Sequence, residues 1–260
     1  AALVAPHVRN SGVINARLGR VTLGAADAFA IDLYGDDLVA FRVGVAQTPL
    51  DADGNPVENL VDNQGSILAG GGIVRLAARN VEAVVRNVIN TDGVIYADTI
   101  ERRGGKIILG ASGAGTVSAN GEMSAAGGTV EISGDEDVSL SGTRIAASGV
   151  TISADADKSG AGDLNAGASG GDATLTDIDI DTAAGDDTGG SVVVTGDRVA
   201  VLGASRIDAS GETGGGEILI GGDFQGKGAT RNADATVVGA AASLTADAEA
   251  AGDGGRVILW

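Results

Sequence analysis

GGKIILGASG, Gly104 to Gly113, is a pair of glycines, an alternating apolar run and more glycine. Alone it reads equally as a phosphate-cradling loop or a turn. It is not alone. Gly-Gly-x-apolar-x-apolar recurs as GGIVRL at Gly71, GGTVEI at Gly127, GGDATL at Gly170, GGSVVV at Gly189, GGEILI at Gly215 and GGRVIL at Gly254. The successive starts are separated by 33, 23, 43, 19, 26 and 39 residues. A second phrase, apolar-x-Ala, falls between them: VINA ending at Ala16, SILA at Ala69, VIYA at Ala97, RIAASG from Arg144 and RIDASG from Arg206. Fixed short phrases at such intervals are the mark of a solenoid.

Period-two alternation puts Val130 and Ile132 on one face of a strand and Glu131 on the other. The same argument gives GGKIILGASG a buried side of Ile107 and Leu109 between two corners. Gly at a corner supplies positive φ, and Ala fits where the chain turns inward. Stacked copies pair each strand with its equivalent, so the expectation is an all-β parallel β-helix. Near 20 residues per turn, about a dozen coils would make a rod roughly 55–60 Å long at the spacing between paired strands.

Composition agrees. Aromatic residues are 2% of the chain while 44 of its 260 residues are glycine, which suits a narrow interior and frequent tight turns. The net charge of −18 opposes nucleic acid and anionic membrane surfaces as partners. Cysteine is absent, which removes disulfide and thiol chemistry. No run approaches the ~18 apolar residues of a membrane-spanning helix, and AALVAPHV has no basic leader region.

Two segments break the rhythm. VAQTPLDADGNPVENLV, Val45 to Val61, carries an Asp-Gly turn between short apolar arms and reads as a hairpin or loop standing off the coils. In NVEAVVRNVI, Asn80 to Ile89, Val81, Val84, Val85 and Val88 recur at i, i+3, i+4 and i+7, with Asn80 in the N-cap position, and predict a short helix. Both lie in residues 1–110. Residues 111–260 are plainer Gly/Ala/Asp-rich repeats, with no linker to separate them from the first part.

The run ALVAPHVRNSGVINARLGRVTLGAADAFAIDLYGDDLVAF, Ala2 to Phe41, resembles the later part of the filamentous haemagglutinin-type secretion domain of two-partner secretion exoproteins. NQGSILAGGGIVRLAA and RIDASGETGGGEILIGGDFQGKG resemble the repeats that follow it in that family. The resemblance implies a right-handed parallel β-helix, a bacterial cell-surface or secreted adhesin, an outer-membrane β-barrel transporter as partner during export, and a surface receptor or glycan as target. It also implies an internal segment of a longer chain. No Asn-Pro-Asn motif of the family's secretion region is present; Asn55-Pro56-Val57 is not one. Two alternatives stand beside the adhesin: the stalk of a contact-dependent toxin delivery protein, and a polysaccharide-acting β-helix enzyme.

The residues nominate no catalytic, cofactor-binding or metal site, and no cofactor. Asp172, Asp177, Asp179, Asp181, Asp186 and Asp187 are numerous enough to suggest calcium, but the stretch does not match the glycine-rich calcium nonapeptide and reads as a solvated face. Carboxylates for glycoside hydrolysis are plentiful, while Phe29, Tyr34, Phe41, Tyr96 and Phe224 are too scattered for a sugar platform. The single histidine, His7, is poor material for a triad or metal centre. The glycine clusters at Gly113–Gly115 and Gly160–Gly162 lack a P-loop Lys-Ser/Thr and read as corners. Trp260 reads as the last residue of a strand.

Overall fold

The computed structural model describes residues 1–31, 39–43, 45, 47–80, 85–98, 104–154, 171–183 and 188–260. The chain winds as a parallel β-helix with three faces per coil. The first face is an 8-stranded parallel sheet running from Val8–Asn10 through Asn59–Asn63, Asn87–Thr91, Thr116–Ala119, Val138–Ser141, Asp172–Thr176 and Arg198–Leu202 to Ala235–Val238. The second begins with Val13–Asn15, Ser66–Leu68 and Val94–Tyr96, and the third with Arg20–Ala25, Ile73–Asn80 and Lys106–Gly113. Strands Glu122–Gly134 and Arg144–Ala154 continue round the corner between these two faces and join them into one 15-stranded sheet. Ala2–Ala5 adds one more rung beneath Arg20–Ala25.

The described residues form eight coils and not a dozen, about 38 Å of rod at the usual spacing between paired strands. The shortfall lies in the coil length. First-face strands begin 22 residues apart from Thr116 to Val138 but 51 apart from Val8 to Asn59. Insertions between strands take up the difference.

The core follows from alternation. On the third face Val21, Val74, Ile107, Val130, Val150, Val192 and Ile218 occupy one register position and are all buried. Leu23, Leu76, Leu109, Ile132, Ile152, Val194 and Ile220 form a second buried column. Each such side chain contributes roughly 1.5–3 kcal/mol by leaving water. Glu131, between Val130 and Ile132, is only partly buried and pairs with Lys106 of the preceding coil at 2.7 Å.

The glycine pairs at Gly71, Gly104, Gly127, Gly189, Gly215 and Gly254 all lead into third-face strands. The second glycine is required there. A Cβ on Gly72 would stand 2.1 Å from Gly19 O, one on Gly216 2.0 Å from Gly190 O, and one on Gly255 2.1 Å from Gly216 O. Gly171 differs from these: it leads into Asp172–Thr176 on the first face. The apolar-x-Ala phrases all lie on the second face. Their alanines turn the corner, where the N–H of Ala16, Ala69 and Ala97 donates to Leu68 O, Tyr96 O and Ser124 O of the next coil.

The helix expected over Asn80 to Ile89 is not formed. Asn80 ends the strand Ile73–Asn80, and Asn87 to Ile89 lie in the first-face strand Asn87–Thr91, with Val88 and Ile89 in the core. β-Branched valines favour the extended chain, and pairing on both sides with Asn59–Asn63 and Thr116–Ala119 outweighs a four-residue helical coincidence. Residues 81–84 lie outside the described part of the chain. Among the described residues the only helical turn is a 3-10 turn at Phe224–Gly226.

The Val45 to Val61 excursion does contain a hairpin, with Leu50 bridging Pro56 in antiparallel sense. A second antiparallel pair, Ala28–Ile31 with Val39–Val43, precedes it. That insertion sits within a rung. Ala25 pairs with Ala78, Ala26 N donates to Ala5 O, and the next position, opposite Asn80, is filled by Val45, which is fully buried in the core.

Candidate functional site

The outer surface divides into ladders that tie coils together and loops that leave the corners. The ladders absorb most of the charge that drew attention in the sequence. Arg144, Asp179 and Arg206 occupy one register position on the second face, and Asp179 lies 3.2 Å from Arg144 and 3.7 Å from Arg206. Asp172 takes a two-pronged bond from Arg198, with nitrogen–oxygen distances of 2.8 and 2.5 Å. Asp177 has φ of 51° at a corner and accepts from Ala204 N at 2.8 Å. Asp181 is exposed and accepts from its neighbour Ala183 N. These four carboxylates are thus distributed over two faces and a corner, on arginines and backbone amides. Asp186 and Asp187 lie outside the described residues. Among those described, no three His, Cys, Asp or Glu side chains come together in a group suited to a metal ion.

Gly113 and Gly115 are a corner, with φ of 82° and 127°. Their N–H groups donate to the carboxylates of Asp135 and Glu136 at 2.8 and 2.6 Å, so the acceptors are side chains of the next coil. Gly160–Gly162 falls outside the described residues, as does Tyr34. His7 is half-buried, and burial is the main reason its pKa lies below the usual value, with Arg9 adding to the effect and Asp62 and Asp51 opposing it. Tyr96 stands on the outer side of the second face beside Glu122. Partial burial, then the charge of Glu122 and a hydrogen bond to it, raises the phenol pKa.

A shallow groove of about 650 Å³ follows the corner between the second and third faces over the last four coils. Its floor is the glycine pairs of residues 189–190, 215–216 and 254–255, and Ser148, Ser191, Glu217 and Arg256 stand at its sides. Arg256 is engaged with Glu217. The groove therefore holds one ion pair, with no pair of carboxylates facing each other across it.

The loops are more distinctive. In the Leu50–Pro56 hairpin, Asp51 Oδ1 accepts from Asn55 N at 2.8 Å and Asp53 N at 2.9 Å, bonds that hold its carboxyl below the ordinary range. The turn lifts Leu50 into solvent, 61% exposed. The second loop spans Gly221 to Ala233, where Ala233 N closes on Gly221 O at 2.6 Å. Asp223 caps Phe224 N, Gly226 N donates to Asp223 O, and Asn232 Nδ2 donates to Gly226 O at 3.0 Å. The Trp260 indole lies so close that a Cβ on Gly226 would come within 2.6 Å of the ring. Gln225 is held at φ 57°, a conformation that costs a non-glycine residue roughly 1–2 kcal/mol. This loop is ordered against strain, and what it presents is Phe224, 60% exposed. The sequence held Phe224 only as one of several scattered aromatics. The signal was its setting, GGDFQGKG, in which glycines flank a single aromatic.

No protein-family model, no curated protein and no solved structure matches this chain.

Proposed function

We propose that this chain is a structural rod segment of a large secreted or surface-displayed bacterial adhesin, which extends and presents binding loops. The observation that carries this is the division of labour just described. Among the described residues three parallel ladders run through eight coils with a continuous apolar interior, while insertions leave the stack as loops that hold Leu50 and Phe224 in solvent. A continuously hydrogen-bonded stack is stiff and needs no cofactor. An exposed aromatic on a pre-ordered loop is the kind of group that anchors an interface, since little freedom is lost on binding. The export partner on this reading is an outer-membrane β-barrel transporter, and the target is a receptor or glycan on a host or neighbouring cell.

The test has two arms. An antibody against this chain should detect a product far larger than 25.3 kDa on the surface of the source cells or in their medium. Beads coated with the chain should adhere to cultured epithelial cells, and Phe224→Ala or Leu50→Asp beads should adhere less while the variants unfold at the parent's denaturant concentration. Cytosolic confinement of a 25.3 kDa product would overturn the reading.

A further inference from the structure

We propose that Asn120-Gly121 is a site of spontaneous covalent modification, where the protein converts its own asparagine to aspartate and isoaspartate. In this step the Gly121 amide nitrogen loses its proton to solvent base and attacks Asn120 Cγ. A carbon–nitrogen bond forms, the side-chain amide leaves as ammonia, and a five-membered succinimide results. Water then adds to either ring carbonyl. Opening one carbon–nitrogen bond gives aspartate, and opening the other gives isoaspartate, whose main chain is longer by one methylene. No oxidant or enzyme is required.

Three observations place the reaction here. This is the only Asn-Gly dipeptide in the chain, and glycine at the following position offers the least steric resistance to ring closure. The coil geometry compels that glycine. Gly12, Gly65, Gly93 and Gly121 stack at the corner between the first and second faces, and a Cβ on Gly121 would stand 2.1 Å from Gly93 O. The residues before these glycines are Ser11, Gln64, Asp92 and Asn120, so one coil of the four combines the compulsory glycine with the most labile side chain.

The third observation is the state of the nucleophile. Gly65 N donates to Asn10 O at 3.0 Å and Gly93 N to Asn63 O at 2.9 Å. In the following coil Asn120 N donates to Thr91 O at 3.0 Å, and no backbone acceptor for Gly121 N is found among the described residues. Asn120 itself is exposed, with its carboxamide over Gly142 of the next coil, where a Cβ would lie 2.8 Å from Oδ1. The group under attack is therefore at the surface, where water can complete the hydrolysis. The product has a local effect. An extra methylene in residue 120 falls immediately before Gly121, where it disturbs the bond from Arg144 N to Gly121 O and, one residue on, the bond from Glu122 N to Gly93 O at 3.2 Å.

The inference does not depend on the adhesin reading. The folded chain, and a sample unfolded in urea, would be incubated in warm, mildly alkaline buffer. Both would be followed by peptide mass mapping and by labelling with an isoaspartyl methyltransferase. In the folded sample a gain of one mass unit should appear first in the peptide containing Asn120, faster at higher pH, with isoaspartate label in the same peptide. Asn120→Gln, which copies the Gln64-Gly65 corner, should fold and lose both signals. Should that variant not fold, Asn120→Ser, which copies Ser11-Gly12, serves instead. If the folded chain gains no mass at Asn120 while the unfolded chain does, or gains it first at another asparagine, the proposal is overturned.

Discussion

Gly72 lies over Gly19 of the preceding coil, so close that a Cβ on Gly72 would stand 2.1 Å from the Gly19 carbonyl oxygen. Backbone meets backbone at this corner, and no flexible side chain can give way. Gly72→Ala and Gly216→Ala should each lower stability by about 1–3 kcal/mol, the usual cost of overpacking. Gly12→Ala, with nothing within 4 Å, should stay within about 0.5 kcal/mol. Urea midpoints at equal slope would separate the two classes.

Leu18 is the converse case. It occupies the register position of Gly71, with φ of 56° against 67° for the glycine. Its side chain is 48% exposed, so little burial compensates the left-handed backbone. Leu18→Gly is expected to stabilise the protein by up to about 1 kcal/mol, read as a rise in the urea midpoint.

Inside the stack Asn10, Asn63 and Thr91 form a buried polar ladder. Asn10 Nδ2 donates to Asn63 Oδ1 at 2.8 Å, and Asn63 Nδ2 donates to Thr91 Oγ1 at 3.1 Å. Asn63→Ala leaves both neighbours without this partner in the interior and should cost about 2–4 kcal/mol, since each stranded group carries its own desolvation penalty. Asn90→Ala, whose side chain bonds Asp62 and Asp92 on the outer side, should cost less than about 1 kcal/mol. Thermal unfolding of the two variants side by side checks the contrast.

Acid should weaken the fold through two groups acting in the same direction. Burial pushes the Asp208 carboxyl up, but the Ser210 hydroxyl and N–H, together with Arg206, more than compensate and hold its pKa below the ordinary carboxylate range. Its stabilising contribution is present above the unfolded pKa near ~3.9 and is lost as the pH falls through the lower folded value. His7 is also depressed, so charging it below pH ~6.5 favours the unfolded chain. Asp208→Asn should flatten the acid limb of a stability–pH curve below about pH 4, and His7→Gln the loss of stability that begins as the pH falls below ~6.5.

The sequence carried two of the three faces. Glycine pairs mark the third face because the backbone contact at Gly72 and Gly216 excludes any Cβ, and apolar-x-Ala marks the second because Ala69 and Ala97 turn the corner. First-face strands such as VSLS and RVAVL bear no phrase of their own, and the sterically required glycines that follow other strands of that face, Gly65, Gly93 and Gly121, stand singly and not in pairs. GGDATL at Gly170 shares the phrase of the third-face strands although Gly171 leads into the first face, so the spacing of the phrase understates the length of a coil. The valines from Val81 to Val88 fit two periodicities over a short run, and only pairing with neighbouring coils decides between them. The ladder that engages Asp179 was illegible because Arg144 and Arg206 are distant in sequence and meet it only through register. Phe224 was visible as a residue, but not the hydrogen bonds and the indole that hold its loop.

The rung that breaks off after Ala26 and resumes at Val45 sets the terms on which this architecture can vary. Because the chain leaves and rejoins the same track, the excised length is closed by pairing that exists anyway. Doubling such an insert costs only about 0.6 kcal/mol in closure entropy. The break in this rung therefore behaves as a splice junction, where segments of unrelated length and chemistry can be exchanged while the columns on either side keep their stacking partners.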